Sequence, residues 1–158
     1  MRLYERKKDM PDYKRITAFF DEYIAHYRSF LKFEYAKADM INKGAIAQLS
    51  DSLTTEQALI MKTNTMEARR IKLVEGCGDT FDELVEGAPE EFREKLQSQH
   101  EELSALVYKI KELNDNAGLI VSARLKKIQE RTAELDVYDG RGALKREHAT
   151  KAAISRNV

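Results

Sequence analysis

Apolar residues recur at steps of three and four along most of the chain, which is the spacing of one face of an α-helix. Over residues 12–41 the recurring positions form an aromatic-rich stripe. Its members are Ile16, Phe19, Phe20, Tyr23, Tyr27, Phe30, Leu31, Tyr35, Ala38 and Ile41. Gly44 follows, and glycine accepts the left-handed backbone conformation that ends many helices. The pattern predicts a first amphipathic helix over residues 12–41, with the aromatic stripe in the core.

A second helix is predicted over residues 52–75, preceded by a short turn over residues 45–49. Thr54 and Gln57 resemble a capping box, in which each side chain bonds a backbone N–H at the helix start. Polar residues interrupt the expected packing stripe of this helix. The stripe comprises Leu49, Leu53, Gln57, Ile60, Asn64, Glu67, Ile71 and Val74. Such a stripe indicates a shallow packing face, or one that admits water.

The remaining helices are a short one over residues 80–86 and a long one over residues 89–135. Thr80 and Glu83 form a second capping-box pattern, and Pro89 suits the first turn of the long helix. The long helix carries a seam of alternating three- and four-residue steps, as in coiled coils. The seam comprises Leu96, Gln99, Leu103, Leu106, Ile110, Leu113, Ala117 and Ile120.

This seam changes register near Gly118, after which Val121, Leu125, Ile128 and finally Leu135 continue the apolar run. A helix of about 45 residues spans about 68 Å, whereas the first helix spans about 45 Å. The shorter helices therefore cannot cover the long one completely. We expect the stripe after Gly118 to stay open, which is typical of a partner site. Two alternatives stay open as well: the helix bends at Gly118 and buries the stripe, or two copies dimerise through it.

The fold class predicted from these elements is all-α. We expect an elongated antiparallel helical hairpin or three-helix bundle with a very long last helix. Residues 1–135 are expected to form a single domain, and residues 136–158 a flexible C-terminal tail. Residues 1–11, which end at a proline, are interpreted as a frayed lead-in.

Composition limits the class of partner. The 158 residues include 27 basic and 27 acidic side chains, so the net charge of zero gives no reason to expect nucleic acid or an anionic membrane as partner. The single cysteine, Cys77, fits a reducing compartment. The N-terminus lacks the apolar core of a signal peptide, and no apolar run approaches the roughly 20 residues of a membrane span. We therefore expect a cytoplasmic protein without membrane insertion.

Residues able to carry chemistry are sparse. His26, His100 and His148 are not spaced as metal-ligand pairs, and Cys77 lies between two glycines without an obvious base nearby in sequence. The glycines do not form a phosphate-binding loop. We expect no catalytic residue, no metal site and no cofactor, and hence a binding protein and not an enzyme.

Three stretches of the sequence form a recognisable series. The first contains Gly44, Ala45, Ile46, Leu49, Glu56, Met66, Glu67, Arg69 and Arg70. The second is residues 113–120, Leu-Asn-Asp-Asn-Ala-Gly-Leu-Ile, and the third is Tyr138 with Gly142. In order and spacing they resemble the FlgN family of flagellar export chaperones. Two positions depart from that family's pattern: Met66 replaces a leucine, and Ala117 stands where a second asparagine is usual.

The resemblance implies a cytoplasmic chaperone for flagellar type III export. Its clients would be the hook-associated proteins of the hook–filament junction, whose C-terminal segments it would hold and deliver to the export gate. The client-binding residues expected on the long helix are Leu119, Ile120, Val121, Leu125, Ile128 and Leu135. Tyr138 is expected to dock on the export gate, the alternative being a tyrosine packed at the end of the long helix. The second candidate function is a structural coiled-coil adaptor that acts as a homo-oligomer, such as a homodimer.

Overall fold

The computed structural model describes the backbone of residues 11–138 and the side chains of residues 11–133. Four helices occupy most of this part of the chain. They are α1 (Tyr13–Lys43), α2 (Ile46–Leu73), α3 (Phe81–Glu86) and α4 (Glu90–Tyr138). Residues 11–138 contain no strand, so the all-α prediction is confirmed. The predicted lead-in up to position 10 and the predicted tail beyond position 138 lie outside the described residues.

The chain divides into two compact units, with the boundary between Asn114 and Asp115. The core of the first unit joins α1, α3, the end of α2 and the start of α4. Its buried members are Tyr13, Ile16, Phe19, Phe20, Tyr23, Met66, Leu84, Val85, Ala88 and Leu96. Half of the predicted aromatic stripe of α1 is therefore core. Tyr35, which we expected in the same stripe, is exposed instead.

Local capping explains where α1 and α3 begin and end. The Asp12 carboxylate accepts a hydrogen bond from the Arg15 backbone N–H at 3.1 Å. Gly44 ends α1 in the left-handed conformation, with φ of 67°. At α3, the Thr80 hydroxyl accepts from the Glu83 N–H at 3.2 Å, and the Glu83 carboxylate accepts from the Thr80 N–H at 3.3 Å. The capping box predicted at Thr80 is confirmed.

The predicted start of α2 is wrong. The helix begins at Ile46, only two residues after α1, so Thr54 and Gln57 lie inside it and form no capping box. The polar run at Ser50, Asp51 and Ser52 looked like a break but is helical. The Ser52 hydroxyl donates to the Leu49 carbonyl oxygen at 2.6 Å within the helix, which is a common way for helical serine to satisfy its donor.

The predicted packing face of α2 is right only in part: its members Glu67 and Val74 contact α1 and the core, but others do not. Leu53 is 55% exposed and Ile71 is 57% exposed, whereas Ser52 and Met66 are buried. Polar contacts with α1 set the rotation of the helix. They join His26 to Thr63 at 2.7 Å, Tyr23 to Glu67 at 2.9 Å and Lys37 to Glu56 at 3.2 Å. The buried polar groups of α1 require partners, and α2 turns its polar face inward to supply them.

The long helix α4 follows the predicted seam. Leu96 and Gln99 are buried, and the Gln99 amide donates to the Thr17 carbonyl oxygen of α1 at 2.8 Å. The helix continues through Gly118 and ends at Tyr138, three residues beyond the predicted end at position 135. Along residues 11–138 none of the helices is long and apolar enough to cross a membrane.

Candidate protein-binding site

The second half of α4 exposes the apolar stripe that the sequence predicted. Val121 and Leu125 are each 48% exposed and Ile128 is 61% exposed. Every residue from 121 to 131 is classed as exposed, including the polar ones. Burial of this stripe by the rest of the described chain, one of the alternatives drawn from the sequence, is therefore not observed.

Three of the six expected client-binding residues share one face of α4. At about 100° per residue, Val121, Leu125 and Ile128 lie within about 60° of one another around the helix axis. Leu119 is also exposed but lies about 160° from Val121. We call Val121, Leu125 and Ile128 the late stripe.

The other three expected client-binding residues do not belong to the late stripe. Ile120 is half-buried, and Leu119 is on the far side of the helix from the late stripe. Leu135 lies on the backbone of α4 in the register of the late stripe, and its side chain is outside the described set. Tyr138 is the last residue of α4, with its side chain outside that set as well.

Charge is distributed unevenly around the late stripe. Residues 119–133 contain four basic side chains and one acidic side chain, Glu130. Arg124 and Arg131 lie along one edge of the stripe, whereas the opposite edge carries the uncharged Ser122 and Gln129. The other two basic residues lie further round the helix, one on each side. We call Arg124 and Arg131 the basic edge. A partner that covers the late stripe meets two arginines at one edge and uncharged side chains at the other.

A buried ionic cluster lies in the first unit. The Lys37 ammonium donates to Glu34 at 3.2 Å, to Glu56 at 3.2 Å and to the Asn114 side-chain oxygen at 3.1 Å. Lys37 and Glu34 are buried. An ammonium has three donors, so this one side chain links α1, α2 and α4. We call these four residues the Lys37 cluster.

The Lys37 cluster was not predicted from the sequence, although a signal for it was present. Glu34 and Lys37 continue the helical spacing of the inward face of α1, from Tyr27 and Phe30 to Ile41. Charged side chains are seldom fully buried, so the spacing of apolar residues alone passes over Glu34 and Lys37. They are buried because each has a partner of opposite charge or a hydrogen-bonding amide.

A groove of about 310 Å³ opens between α1, the end of α2, α3 and the first half of α4. Two of its charged groups neutralise each other, since Arg70 donates to both carboxylate oxygens of Glu67 at 2.6–3.0 Å. These bonds, together with one from the Tyr23 hydroxyl, lower the pKa of Glu67. Burial raises the pKa of the Cys77 thiol, which also lines the groove, so less of it is thiolate at neutral pH.

The described histidines are engaged in packing. His26 Nε2 lies 2.7 Å from the Thr63 hydroxyl, and burial, with the positive charge of Lys62 as a smaller cause, lowers the His26 pKa. The ring of His100 stacks on Phe81 with the ring centres 4.0 Å apart. Residues 11–133 hold no group of three or more histidine, cysteine, aspartate or glutamate side chains placed to bind a metal ion.

A comparison of the sequence with known protein families identifies the family of this chain. The sequence profile described as FlgN protein matches residues 10–144, which is most of the chain. The chain belongs to the FlgN family. Comparison with curated proteins and with solved structures returned no match. FlgN is a family of flagellar export chaperones and is not an enzyme family. The FlgN match covers most of the first unit, the second unit as far as residue 144 and the whole late stripe.

The residues that suggested FlgN from the sequence have structural partners. Met66 is buried in the core. The Arg69 guanidinium lies 5.2 Å from the centre of the Phe19 ring and pairs with Glu22 at 3.1 Å. Asn114 belongs to the Lys37 cluster. In this FlgN chain these residues hold α1, α2 and α4 together, and Gly142 lies outside the described residues.

Proposed function

We propose that this chain is a cytoplasmic export chaperone that binds the C-terminal segments of hook-associated flagellar proteins and delivers them to the type III export apparatus. The supporting observation is the exposed late stripe in a chain that belongs to the FlgN family. The proposed client-binding residues are Leu119, Ile120, Val121, Leu125, Ile128 and Leu135. Tyr138, which ends α4, is the proposed contact with the export gate.

The chemistry of the late stripe suits an amphipathic client helix. An exposed helical row of aliphatic side chains docks with a second apolar row by helix-in-groove or coiled-coil packing. A client that waits unfolded for export exposes such a row, and its apolar surface drives aggregation unless it is covered. Binding at the late stripe covers both apolar surfaces at once.

Energetics require that the client touch more than the late stripe. Covering a half-exposed aliphatic side chain contributes about 1 kcal/mol, so the three residues contribute about 3 kcal/mol together. A dissociation constant of about 1 μM corresponds to about 8 kcal/mol, and a specific interface buries about 1,000 Å² or more. The client therefore has to run along several turns of α4, which is why Ile120 and Leu135 are part of the proposed site.

The basic edge narrows the class of client further. Arg124 and Arg131 favour a client helix with carboxylates along one side of its apolar row, because complementary charge fixes orientation and speeds encounter. A client with lysines on that side is disfavoured by repulsion. This asymmetry selects one of the two directions in which a helix can lie along α4.

The deciding experiment is a binding titration with the purified C-terminal segment of a hook-associated protein. Leu125→Asp combined with Ile128→Asp should weaken binding at least about 100-fold, because two charges replace apolar contacts at the centre of the site. Helical content by circular dichroism and the melting temperature should stay as in the wild type. The matched control is Tyr108→Asp, an exposed position of α4 within the first unit, which should bind normally.

Three outcomes would reject the proposal. Normal client binding by the double variant would show that the late stripe is not the site, and an unfolded double variant would show that it is core. If the wild type binds no client and sediments as an oligomer that the double variant converts to monomer, the coiled-coil adaptor function replaces the chaperone function.

A further inference from the structure

The outward side of α2 carries a regular apolar row. Ile46, Leu53 and Ile60 are spaced seven residues apart and are 79%, 55% and 38% exposed. We call these three residues the α2 row. His26, Lys37 and Tyr23 of α1 bond polar residues on the adjoining side of α2, which faces inward. Nothing in the proposed client site uses it.

The surface around the α2 row is depleted of charge. Charged residues make up 34% of the chain, so a segment of sixteen would carry about five, yet residues 46–61 contain only Asp51 and Glu56. Glu56 points inward and pairs with Lys37 at 3.2 Å. The start of α4, residues 90–102, carries seven charged side chains over thirteen positions. Depletion of charge is the compositional mark of the centre of a protein interface.

The three residues of the α2 row are placed symmetrically about Leu53, with an isoleucine seven residues away on each side. In an antiparallel pair of α2 helices with a two-fold axis at Leu53, Ile46 of one copy lies level with Ile60 of the other. Leu53 then meets its own counterpart. Asp51 lies level with Thr55, so this arrangement brings no like charges together. An interface between identical copies with two-fold symmetry requires such a self-complementary surface.

We propose that the α2 row is the docking surface for a second copy of this chain, in an antiparallel α2–α2 pair centred on Leu53. The seven-residue spacing suits the left-handed crossing of about 20° that packs heptad seams. The paired segment of about 15 residues is only about 22 Å long, which is less than a standard stable interface provides. The dimer is therefore weak, and it forms and dissociates with protein concentration.

Disulfide trapping tests the axis directly. In a Cys77→Ser background, Leu53→Cys places one thiol per copy on the two-fold axis, where the two copies meet. Mild oxidation should give a covalent dimer at least about ten times faster than in the control Thr55→Cys. Thr55 is exposed on the same helix but lies about 160° away around its axis. Equal trapping rates for the two cysteines would overturn the proposal.

Sedimentation equilibrium tests the same surface without introduced cysteines. Leu53→Glu should raise the dimer dissociation constant at least about tenfold, because two carboxylates would meet on the axis. Ile71→Glu is the matched control, since Ile71 is 57% exposed on the same helix but lies beyond the paired segment.

Several results would refute the α2 dimer. They are equal weakening by Ile71→Glu, a strictly monomeric wild type at millimolar concentration, and loss of the dimer on Leu125→Asp. Loss of client binding by Leu53→Glu with a monomeric wild type would assign the α2 row to the client instead.

Discussion

The late stripe of α4 and the α2 row are both exposed rows of aliphatic side chains on helices, yet they differ in every other respect. The late stripe lies in the second compact unit and has two basic residues along one edge. The α2 row lies in the first unit, within a segment that has a single outward charge, Asp51, and its three residues are placed symmetrically about Leu53. Exposed apolar area alone does not identify a partner. The charge next to an exposed apolar row and the symmetry of its residues indicate which kind of partner fits it.

The difference also has a structural origin. The late stripe follows from the length of α4 and the slip in its apolar seam. The α2 row borders the inward side of α2, where buried polar groups of α1 find their partners. Removing those polar contacts should therefore disturb the α2 row and leave the late stripe unchanged, and the following experiments exploit this contrast.

The largest effect is expected at the Lys37 cluster. Lys37→Met should lower the free energy of unfolding by about 3–5 kcal/mol, because two carboxylates, Glu34 and Glu56, lose their shared buried cation. Urea denaturation of the full chain measures this. Lys43→Met, which breaks an exposed ion pair with Asp39, is the control and should cost less than about 0.5 kcal/mol. If the two variants were equally stable, the Lys37 cluster would not be what holds the inward face of α2.

A smaller effect separates the two surfaces by their response to salt. Raising sodium chloride from 50 to 500 mM should weaken client binding about 3–10-fold, because ions screen the basic edge from an acidic client. Self-association through the α2 row should change less than about twofold over the same range, since that surface carries almost no charge. Arg124→Gln with Arg131→Gln should flatten the salt dependence of client binding. If client binding and self-association depended equally on salt, the two surfaces would not differ in charge as proposed.

The smallest expected effect is a pH dependence of the free energy of unfolding, which arises from His26, the α1 residue that contacts Thr63 of α2. The His26 pKa is lowered in the folded chain by burial and then by Lys62, so the unfolded chain takes up a proton more readily. The contribution of neutral His26 is present above about pH 6.5, the ordinary value, and is lost as the pH falls towards the folded-state pKa.

Unfolding at stepped pH values below 7 measures this contribution. His26→Gln, which can still bond Thr63 but does not titrate in this range, should remove the loss near pH 6. A wild-type loss confined to pH values below about 4.5, where carboxylates such as Glu67 titrate, would show that His26 does not contribute.

Much of the fold was predictable because helix signals are local. The apolar spacing and the caps at Gly44 and Thr80 depend on neighbours within a few residues, and they placed α1 and α3 within two residues of their observed bounds. The start of α2 was mispredicted because Ser50 to Ser52 fit both a turn and a solvated helical face. Local pattern does not separate those two cases.

The candidate site was predictable in part. The change of register near Gly118 predicted the late stripe, because a seam that changes register also changes its packing partner. Leu119, also proposed as a client contact, lies about 160° from Val121 around the axis of α4, so a client that touches both has to wrap around the helix. Leu53 and Ile60 of the α2 row were expected to face the core, because they fall in the helical spacing that starts at Leu49.

What the sequence determined by itself was the class of the molecule: four helices, the long α4, the apolar stripe beyond Gly118 and the FlgN resemblance. Only the tertiary structure decided which face of α2 is inside. That choice rests on distances between residues far apart in the chain, such as His26 and Thr63 or Lys37 and Asn114. A buried polar group without a partner costs about 1–3 kcal/mol, as much as the burial of an aliphatic side chain contributes. In α2 the polar contacts with α1 are made, and the α2 row stays exposed.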